Sequence, residues 1–362
     1  MRATTWIKDL ELRYPFGISR SSVQSLPTLL LRLGDDERRE GLGEAAPVRY
    51  LKIPARQHLA MVHRLAAALP ANAVFDPAGA SATIRPLAGN MLAALAAVDI
   101  ALWDLTARDR GLAIHRLLGA PPPQGQTSYT VALDSLDAMV SRARAAAFLP
   151  ILKIKLGRDP DFDRQAITQI AAAAPRARLR VDANGGWTLP QAREMLPLLA
   201  DLGVEFVEQP LPRGALWQLG DLHRHSPLPI LVDEDVQDRT SLAALRGRVD
   251  GINIKLMKCG GLSEALSMIT FARNEGWQVL LGCMIESRIG LAAAAELSGL
   301  VDALDLDAHM LTTNDPVAPG SIDEFTPTVP AIEGPGLGIA LDAADELGRP
   351  TLPLPDHSDD LQ

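Results

Sequence analysis

A set of charged residues recurs through the second half of the chain, each at the carboxyl end of a short apolar run. They are Lys153 and Lys155, Asp182, Glu208, Asp233, Lys255, and Asp305 with Asp307. From Lys155 to Lys255 the successive spacings are 27, 26, 25 and 22 residues. Surface charge has no reason to keep such a beat. Asp182, Glu208 and Asp233 are carboxylates, and carboxylates that face one another repel unless a cation or protons intervene. An all-oxygen set without His or Cys points to Mg2+, with Mn2+ or Ca2+ as alternatives. Taken singly, each acid reads as a helix N-cap or an exposed loop residue; taken jointly at this spacing, the three read as a metal site.

Lys153 and Lys155 are two apart and so share one face of a strand. Leu152 and Ile154 alternate with them, which favours a buried pair over a solvated edge pair. Two neighbouring ammonium groups beside a metal are expected to depress each other's pKa and to yield a base usable near neutrality. Lys255 supplies a second amine. Lys258, three residues later and past the strand end, reads as a loop or phosphate-type contact. Two amines on opposite sides of a carboxylate-bound metal suggest one reaction class. A substrate carboxylate chelates the metal, which stabilises the enediolate formed when the α-proton leaves. One lysine takes the proton from one face and the other returns one to the opposite face, which is racemisation or epimerisation. Asp305 and Asp307 repeat the two-apart spacing with acids. No cation of the proposed site needs them, so they suit a substrate ammonium group; a helix-capping or surface role fits the spacing equally well.

The elements that would carry these residues fall into two patterns. Early on, Trp6–Arg13, Thr28–Leu33 and Glu40–Ala46 read as strands, followed by helical stretches at Pro54–Leu69, Met91–Arg110 and Ala113–Leu118. Strands first and helices afterwards indicate a small α+β domain, here residues 1–125, ending in the linker-like Pro121-Pro122-Pro123-Gln124-Gly125. From Tyr129 short apolar strands alternate with helices. Strands are expected at Tyr129–Leu133, Ile151–Lys155, Leu179–Asp182, Val204–Glu208, Ile230–Asp233, Ile252–Lys255, Gln278–Leu281 and near Asp305. Helices are expected between them, the third starting at Thr188 and kinked at Pro197. Alternation of this kind means parallel strands with right-handed crossovers, and seven or eight units favour a closed barrel, residues 126–320, with its site at the strand carboxyl ends. No Gly-rich dinucleotide fingerprint follows any strand. Gly260-Gly261 reads as a helix start or anion contact. The segment 321–362 is Pro- and Gly-rich, with a strand candidate at Gly338–Leu341 and a disordered end over Asp356–Gln362.

Composition narrows the functional classes. The chain has 362 residues and a formal net charge of −9, which argues against nucleic acid or an anionic membrane as main partner. Cys259 and Cys283 make no disulfide framework and fit a reducing, cytoplasmic compartment. The first residues lack the apolar core of a signal peptide, and the most apolar stretch, Met91 to Leu105, is broken by Asp99 and Asp104. A soluble acidic protein is expected, and a homo-oligomer is compatible with it.

These residues resemble the enolase superfamily, in its muconate-lactonizing subgroup. The resemblance is carried by Leu152-Lys153-Ile154-Lys155, Val181-Asp182-Ala183-Asn184-Gly185-Gly186-Trp187, Val207-Glu208-Gln209-Pro210, Val232-Asp233-Glu234 and Asn253-Ile254-Lys255-Leu256-Met257-Lys258-Cys259-Gly260-Gly261. Ala101-Leu102-Trp103-Asp104-Leu105 and Gly282-Cys283-Met284-Ile285-Glu286-Ser287-Arg288 extend it over most of the chain. Within the subgroup the sequence is most similar to dipeptide epimerases, whose mark is the Asp-x-Asp of the eighth strand, here Asp305 and Asp307. The resemblance implies an α/β fold: a modified TIM barrel, (β/α)7β, with an N-terminal α+β capping domain and a C-terminal segment returning to the cap. It implies Mg2+ held by Asp182, Glu208 and Asp233, with Mn2+ as an alternative, and Lys155 and Lys255 as the two bases. Lys153 would position the substrate carboxylate and tune Lys155. The substrate would be a dipeptide such as L-Ala-D/L-Glu, with its α-ammonium on Asp305 and Asp307, and cell-wall peptide metabolism is the implied setting.

Specificity would come from cap loops, where Arg20 could pair with a glutamate side chain, and from Met284 beside the last strands. Val48-Arg49-Tyr50 would belong to a second covering loop, and His309, Met310 and Glu286 could alter which side chains fit. Other readings share the metal and the lysines: N-succinylamino acid racemase or o-succinylbenzoate synthase, whose substrates lack a free ammonium group, and then muconate cycloisomerase. A sugar-acid dehydratase is disfavoured because no His ends the sixth or seventh strand. A metal- and peptide-binding barrel without catalysis is the non-enzymatic alternative.

Overall fold

The computed structural model describes residues 1–19, 21–34, 39–48, 51–318, 328 and 334–341. Arg20, Arg49, Tyr50 and most of the segment 321–362, including Asp356–Gln362, lie outside the described residues.

The chain opens with an antiparallel sheet of β1 (Arg2–Ile18), β2 (Ser21–Gly34) and β3 (Glu40–Ala45), in that order. Trp6 pairs with Leu30, and Leu29 with Ala45. Helices α1 (Ala55–Ala67), α2 (Pro77–Ala88), α3 (Leu92–Asp109) and α4 (Ile114–Leu118) follow. The sequence reading had no helix over α2. Gly79 and Pro86 hide it, yet Asp76 accepts a hydrogen bond from Gly79 N–H and Pro77 stands in the first turn, which is a regular helix start. α3 is buried all round from Ala93 to Ala107 and lies directly on β3. A Cβ on Gly41 or Gly43 would come within 2.0 Å of the Ala101 or Ala97 carbonyl oxygen, so only glycine allows this backbone approach.

Eight parallel strands follow, each hydrogen-bonded to its sequence neighbours: β4 (Tyr129–Val131), β5 (Ile151–Lys155), β6 (Arg178–Asp182), β7 (Val207–Glu208), β8 (Ile230–Val232), β9 (Gly251–Lys255), β10 (Gln278–Gly282) and β11 (Ala303–Asp305). A parallel bridge from Thr127 to Leu304, with Ser128 N–H donating to Leu304 O at 3.2 Å, brings β11 back to β4. The crossovers carry α5 (Leu136–Ala145), α6 (Pro160–Ala173), α7 (Leu189–Asp201), α8 (Leu216–His225), α9 (Arg239–Ala243), α10 (Leu256–Cys259) with α11 (Leu262–Asn274), and α12 (Arg288–Ala295). After β11 comes the single turn α13 (Ala308–Leu311). α7 runs through Pro197 as one helix. This is the expected modified barrel with an antiparallel cap sheet. Outward strand residues such as Leu152, Ile154, Val181, Val232 and Ile254 join the main core under the helices. The inward residues Phe206, Leu231 and Leu280 form a separate apolar floor.

At the far end, the expected strand Gly338–Leu341 is replaced by single bridges, Ala113 to Gly336 and Val317 to Leu341. Gly336 and Gly338 have positive φ of 70° and 62°, which turns the backbone out of an extended ladder. This stretch lies on α3: Leu337 N–H donates to Asp104 at 2.8 Å and Arg108 to Ile339 O at 3.2 Å.

The two acids that interrupt the apolar α3 are structural. Asp104 also accepts from Leu42 N–H at 2.8 Å and from Arg108 at 2.9 Å. Asp99 accepts from Ser263 N–H at 3.2 Å and from its hydroxyl, capping α11 from the cap side. Glu44 of β3 does the same for α12, accepting from Ser287 N–H at 2.8 Å, Ser287 Oγ at 2.6 Å and Gly290 N–H at 3.0 Å. Burial pushes the Asp99 carboxyl up to about 6, against hydrogen bonds from Ser263 and Ser81 that pull it down. The folded protein thus binds this proton more tightly than the unfolded chain, and stability is lost as the acid ionises. Between pH 4 and 6 the stability of the wild type relative to Asp99→Asn should fall by about 3 kcal/mol, then level off, as measured by urea denaturation across pH.

Candidate active site

Strand register sets the site. Lys155, Asp182 and Glu208 are direct cross-strand partners on β5, β6 and β7. Lys255, Gly282 and Asp305 are partners on β9, β10 and β11. β5 and β9 are four strands apart whichever way the barrel is followed, so Lys155 and Lys255 stand on opposite walls. A Cβ on Gly282 would lie 2.6 Å from Asn253 Oδ1 and 3.1 Å from Lys255 Cε, so the missing side chain is the space the Lys255 stem occupies.

All eight sequence-selected charges of the barrel are buried, none more than 8% exposed. Lys153 is the hub. Its Nζ lies 2.6 Å from Asp305 Oδ2, 2.6 Å from Glu208 Oε2 and 3.3 Å from Asp182 Oδ2. Lys155 Nζ reaches Asp182 Oδ2 at 2.6 Å, and Lys255 Nζ reaches Asp233 Oδ2 at 3.0 Å. Asn253 donates to Glu208 Oε1 at 2.7 Å. Asp305 also accepts from Ser128 Oγ at 2.6 Å, and Asp307 from Thr130 N–H at 2.6 Å. These last bonds cross the seam where β11 meets β4.

Above the site lies a cavity of about 700 Å3. Its floor includes Lys155, Lys255, Asp233, Asp305 and Asp307. Phe16, Ile18, Leu26, Pro47 and Ile53 reach it from the N-terminal region, with Met284 and Ile285 from the loop after β10.

Two family comparisons cover nearly the whole chain. Residues 136–345 match the enolase C-terminal domain-like family, and residues 1–119 match the N-terminal domain of mandelate racemase and muconate lactonizing enzyme. The chain belongs to the enolase superfamily. A hydrophobic dipeptide epimerase of Roseobacter litoralis is 38% identical over 351 residues, covering 92% of this chain and 97% of the relative. An L-Ala-D/L-amino acid epimerase of Pedosphaera parvula is 34% identical over 329 residues, covering 87% and 92%. A dipeptide epimerase of Enterococcus faecalis, solved with Mg and the dipeptide L-Leu-L-Tyr, superposes with a TM-score of 0.89 at 30% identity, covering 93% and 98%.

Within this superfamily member the electrostatics depart from the sequence reading at two points. Burial works to lower the Lys153 pKa, but Asp305, Glu208 and Asp182 outweigh it and hold the ammonium well above its ordinary range. The expected mutual depression of neighbouring ammonium groups is overridden there, because each positive charge has closer negative neighbours. The second point is Asp305. It does have a cation within the site, Lys153, which together with Lys155 holds its carboxyl low despite burial. Asp307, with no such contact among the described residues, is pushed up to about 7 by burial and by Asp305. Asp182 and Asp233 are also held low against burial, the first by Lys155 and Lys153, the second by Lys255 and Lys258.

Among the described residues, no three His, Cys, Asp or Glu side chains stand grouped as a ready metal cage. Each acid of the trio instead bonds a lysine. The donor set still fits a hard divalent cation: Asp182, Glu208 and Asp233 offer carboxylate oxygens only, and burial together with the charges of Asp182 and Asp233 pushes Glu208 up to about 7, the effect of like charges gathered in one place.

Lys258, expected as a loop or phosphate-type contact, is instead buried, and its Nζ bonds the Asp233 carboxylate and, at 2.6 Å, the Asp233 carbonyl oxygen. The signal was the i, i+3 spacing from Lys255, which the single turn α10 converts into a shared face. Asn184, Asn253, Ser128 and Thr130 carried no charge pattern to betray them. Met284 does line the cavity, whereas Glu286, His309 and Met310 are buried away from its walls and do not shape it. Arg20 and the loop residues Arg49 and Tyr50 lie outside the described residues. Replacing Lys153 by Met would leave Asp305, Glu208 and Asp182 facing one another without their shared cation. Chemical denaturation of Lys153→Met without added divalent ion should show a loss of about 3 kcal/mol or more.

Proposed function

We propose that this chain is an isomerase, a Mg2+-dependent dipeptide epimerase that inverts the α-carbon of the C-terminal residue by two-base proton transfer. The observation that carries the reading is the placement of Lys155 and Lys255 on opposite walls of one cavity, four strands apart. Only an arrangement of this kind serves both faces of a carbon without turning the substrate over. In each direction one amine is unprotonated and removes the α-proton, while the protonated amine across the barrel delivers one to the other face. Asp182, Glu208 and Asp233 would hold the divalent ion. When bound, that ion supplies positive charge where the substrate carboxylate becomes an enediolate. Lys153 fixes the inner carboxylates, and Asp305 and Asp307 offer the negative charge that suits a dipeptide α-ammonium.

In this reading residues 1–125 cap the barrel of residues 126–320 and close the substrate end. Phe16, Leu26, Ile53, Met284 and Ile285 give that end apolar walls, and Lys52 is the one charged side chain among the described cap residues that line it. Apolar side chains therefore suit the cavity better than glutamate, as in the hydrophobic dipeptide epimerase of Roseobacter litoralis. Among the described residues no helix is long and apolar enough to cross a membrane, and both cysteines are free, which suits a reducing compartment such as the cytoplasm.

Incubation with L,L-dipeptides in D2O, followed by mass spectrometry, tests the reading. Deuterium should enter the C-terminal α-position in the presence of Mg2+ and not after chelation by EDTA. L-Ala-L-Leu and L-Ala-L-Phe should exchange faster than L-Ala-L-Glu. Lys155→Ala and Lys255→Ala should each lower epimerisation by at least about 100-fold. Absence of exchange across a broad dipeptide panel would overturn the proposal.

A further inference from the structure

Asp233 presents a positional problem that the sheet does not solve. β8 ends at Val232, whose ladder partner is Ile252, so Asp233 stands one residue beyond the last pair. Asp182 and Glu208, by contrast, are paired within the ladder. A carboxylate beyond the ladder needs another anchor for its backbone if the three acids are to keep one geometry.

Gln209 supplies that anchor. It follows Glu208, is 1% exposed, and has a positive φ of 39°, uncommon for a side chain of its size. The turn aims its amide sideways at the loop after β8. Gln209 Oε1 accepts from Asp233 N–H at 3.0 Å and from Asp235 N–H at 3.4 Å. Its Nε2 donates to Leu211 O at 2.9 Å and to Asp235 Oδ2 at 2.8 Å. Its backbone joins the neighbours: Gln209 N–H donates to Leu231 O, and Gly185 N–H donates to Gln209 O, both at 2.8 Å. Asp235 is held in turn by Gly214 N–H at 2.7 Å. One buried residue thus ties together the ends of β6, β7 and β8, the strands that deliver Asp182, Glu208 and Asp233.

We propose that Gln209 is a positioning residue for divalent-cation binding: its side-chain amide sets the backbone of Asp233 against Asp182 and Glu208. The inference rests on the reading of those three carboxylates as cation ligands. Gln209 touches neither the cavity nor the reacting carbon, so its loss should appear in cation affinity and leave the chemical step at saturation nearly intact. Outer partners of metal ligands are worth roughly 10–100-fold in affinity.

Isothermal titration of the full chain with Mg2+ alone tests this, with wild type, Asp233→Asn, Gln209→Met and Gln209→Glu. Gln209→Met keeps the side-chain length and loses all four side-chain hydrogen bonds. Its Mg2+ dissociation constant should rise about 10–100-fold, while deuterium exchange at saturating Mg2+ stays within about threefold of wild type. If the dissociation constant is unchanged and only the melting temperature falls, Gln209 is a structural brace alone and the proposal is wrong. Should Gln209→Met fail to fold, Gln209→Glu decides: it repels Asp235, so it should weaken Mg2+ binding, and adding Asp235→Asn should recover most of the loss. No recovery overturns the proposal. Wild type that binds no Mg2+, or Asp233→Asn that binds as well as wild type, defeats the carboxylate reading itself and the inference with it.

Discussion

A buried ammonium group shared by three carboxylates is the constraint on which the rest of the molecule depends. Lys153 is 1% exposed and touches Asp305, Glu208 and Asp182 from the centre of the barrel. In a barrel whose interior was apolar throughout, none of these acids could ionise without a large desolvation cost. Here the apolar filling is confined to a floor of Phe206, Leu231 and Leu280, and the layer above it is ionic. Because β6 is the neighbour of β5, and β7 and β11 lie two strands away on either side, one lysine serves acids from three strands at once. The same contacts leave Lys155 and Lys255 to the rim, on opposite walls, the first paired with Asp182 and the second with Asp233.

The cap is fastened to this barrel by further buried acids used in another way. Asp99 and Glu44 lie in the N-terminal domain, yet each accepts hydrogen bonds from the first turn of a barrel helix. Those helices, α11 and α12, follow β9 and β10, the strands that carry Lys255 and Gly282. Helix N-termini carry unpaired N–H groups and partial positive charge, so a carboxylate from outside completes them. The cap thus completes the helices that follow Lys255 and Gly282. Gly261 shows how tight that joint is: a Cβ there would sit 2.3 Å from Asp99 Oδ2. Most of the apolar cavity wall thus belongs to the cap, while Lys155 and Lys255 belong to the barrel.

Division of labour follows from the strand order. The charged floor of the cavity comes from the carboxyl ends of barrel strands, at Lys155, Asp233, Lys255, Asp305 and Asp307. The apolar walls come from β1, β2, the segment before α1 and, with Met284 and Ile285, the loop after β10, so different loops on the same barrel would change the side chains accepted. Membership of the enolase superfamily fits this plan, since the matches to both its N- and C-terminal families run through the same chain.

Much of this was legible in the sequence because a parallel barrel is periodic. Alternating strands and helices, with a charge closing five consecutive units, place Lys155, Asp182, Glu208, Asp233 and Lys255 on one rim before any coordinates are known. Leu262–Asn274 and Ile151–Lys155 were read to the residue for the same reason: their apolar spacing is regular and their ends are capped or charged. Partnership was not legible. That Lys153 would bond Asp305, 152 residues away, and so stand above rather than below its ordinary pKa depends on the barrel closing with β11 beside β4. The roles of Lys258 and Gln209 depend on one helical turn and one left-handed residue, which leave no periodic trace. Sequence alone determined which chemical groups reach the rim, since strand periodicity is local. Tertiary structure alone decided which charge neutralises which, because electrostatic energy follows distance in space and not separation along the chain.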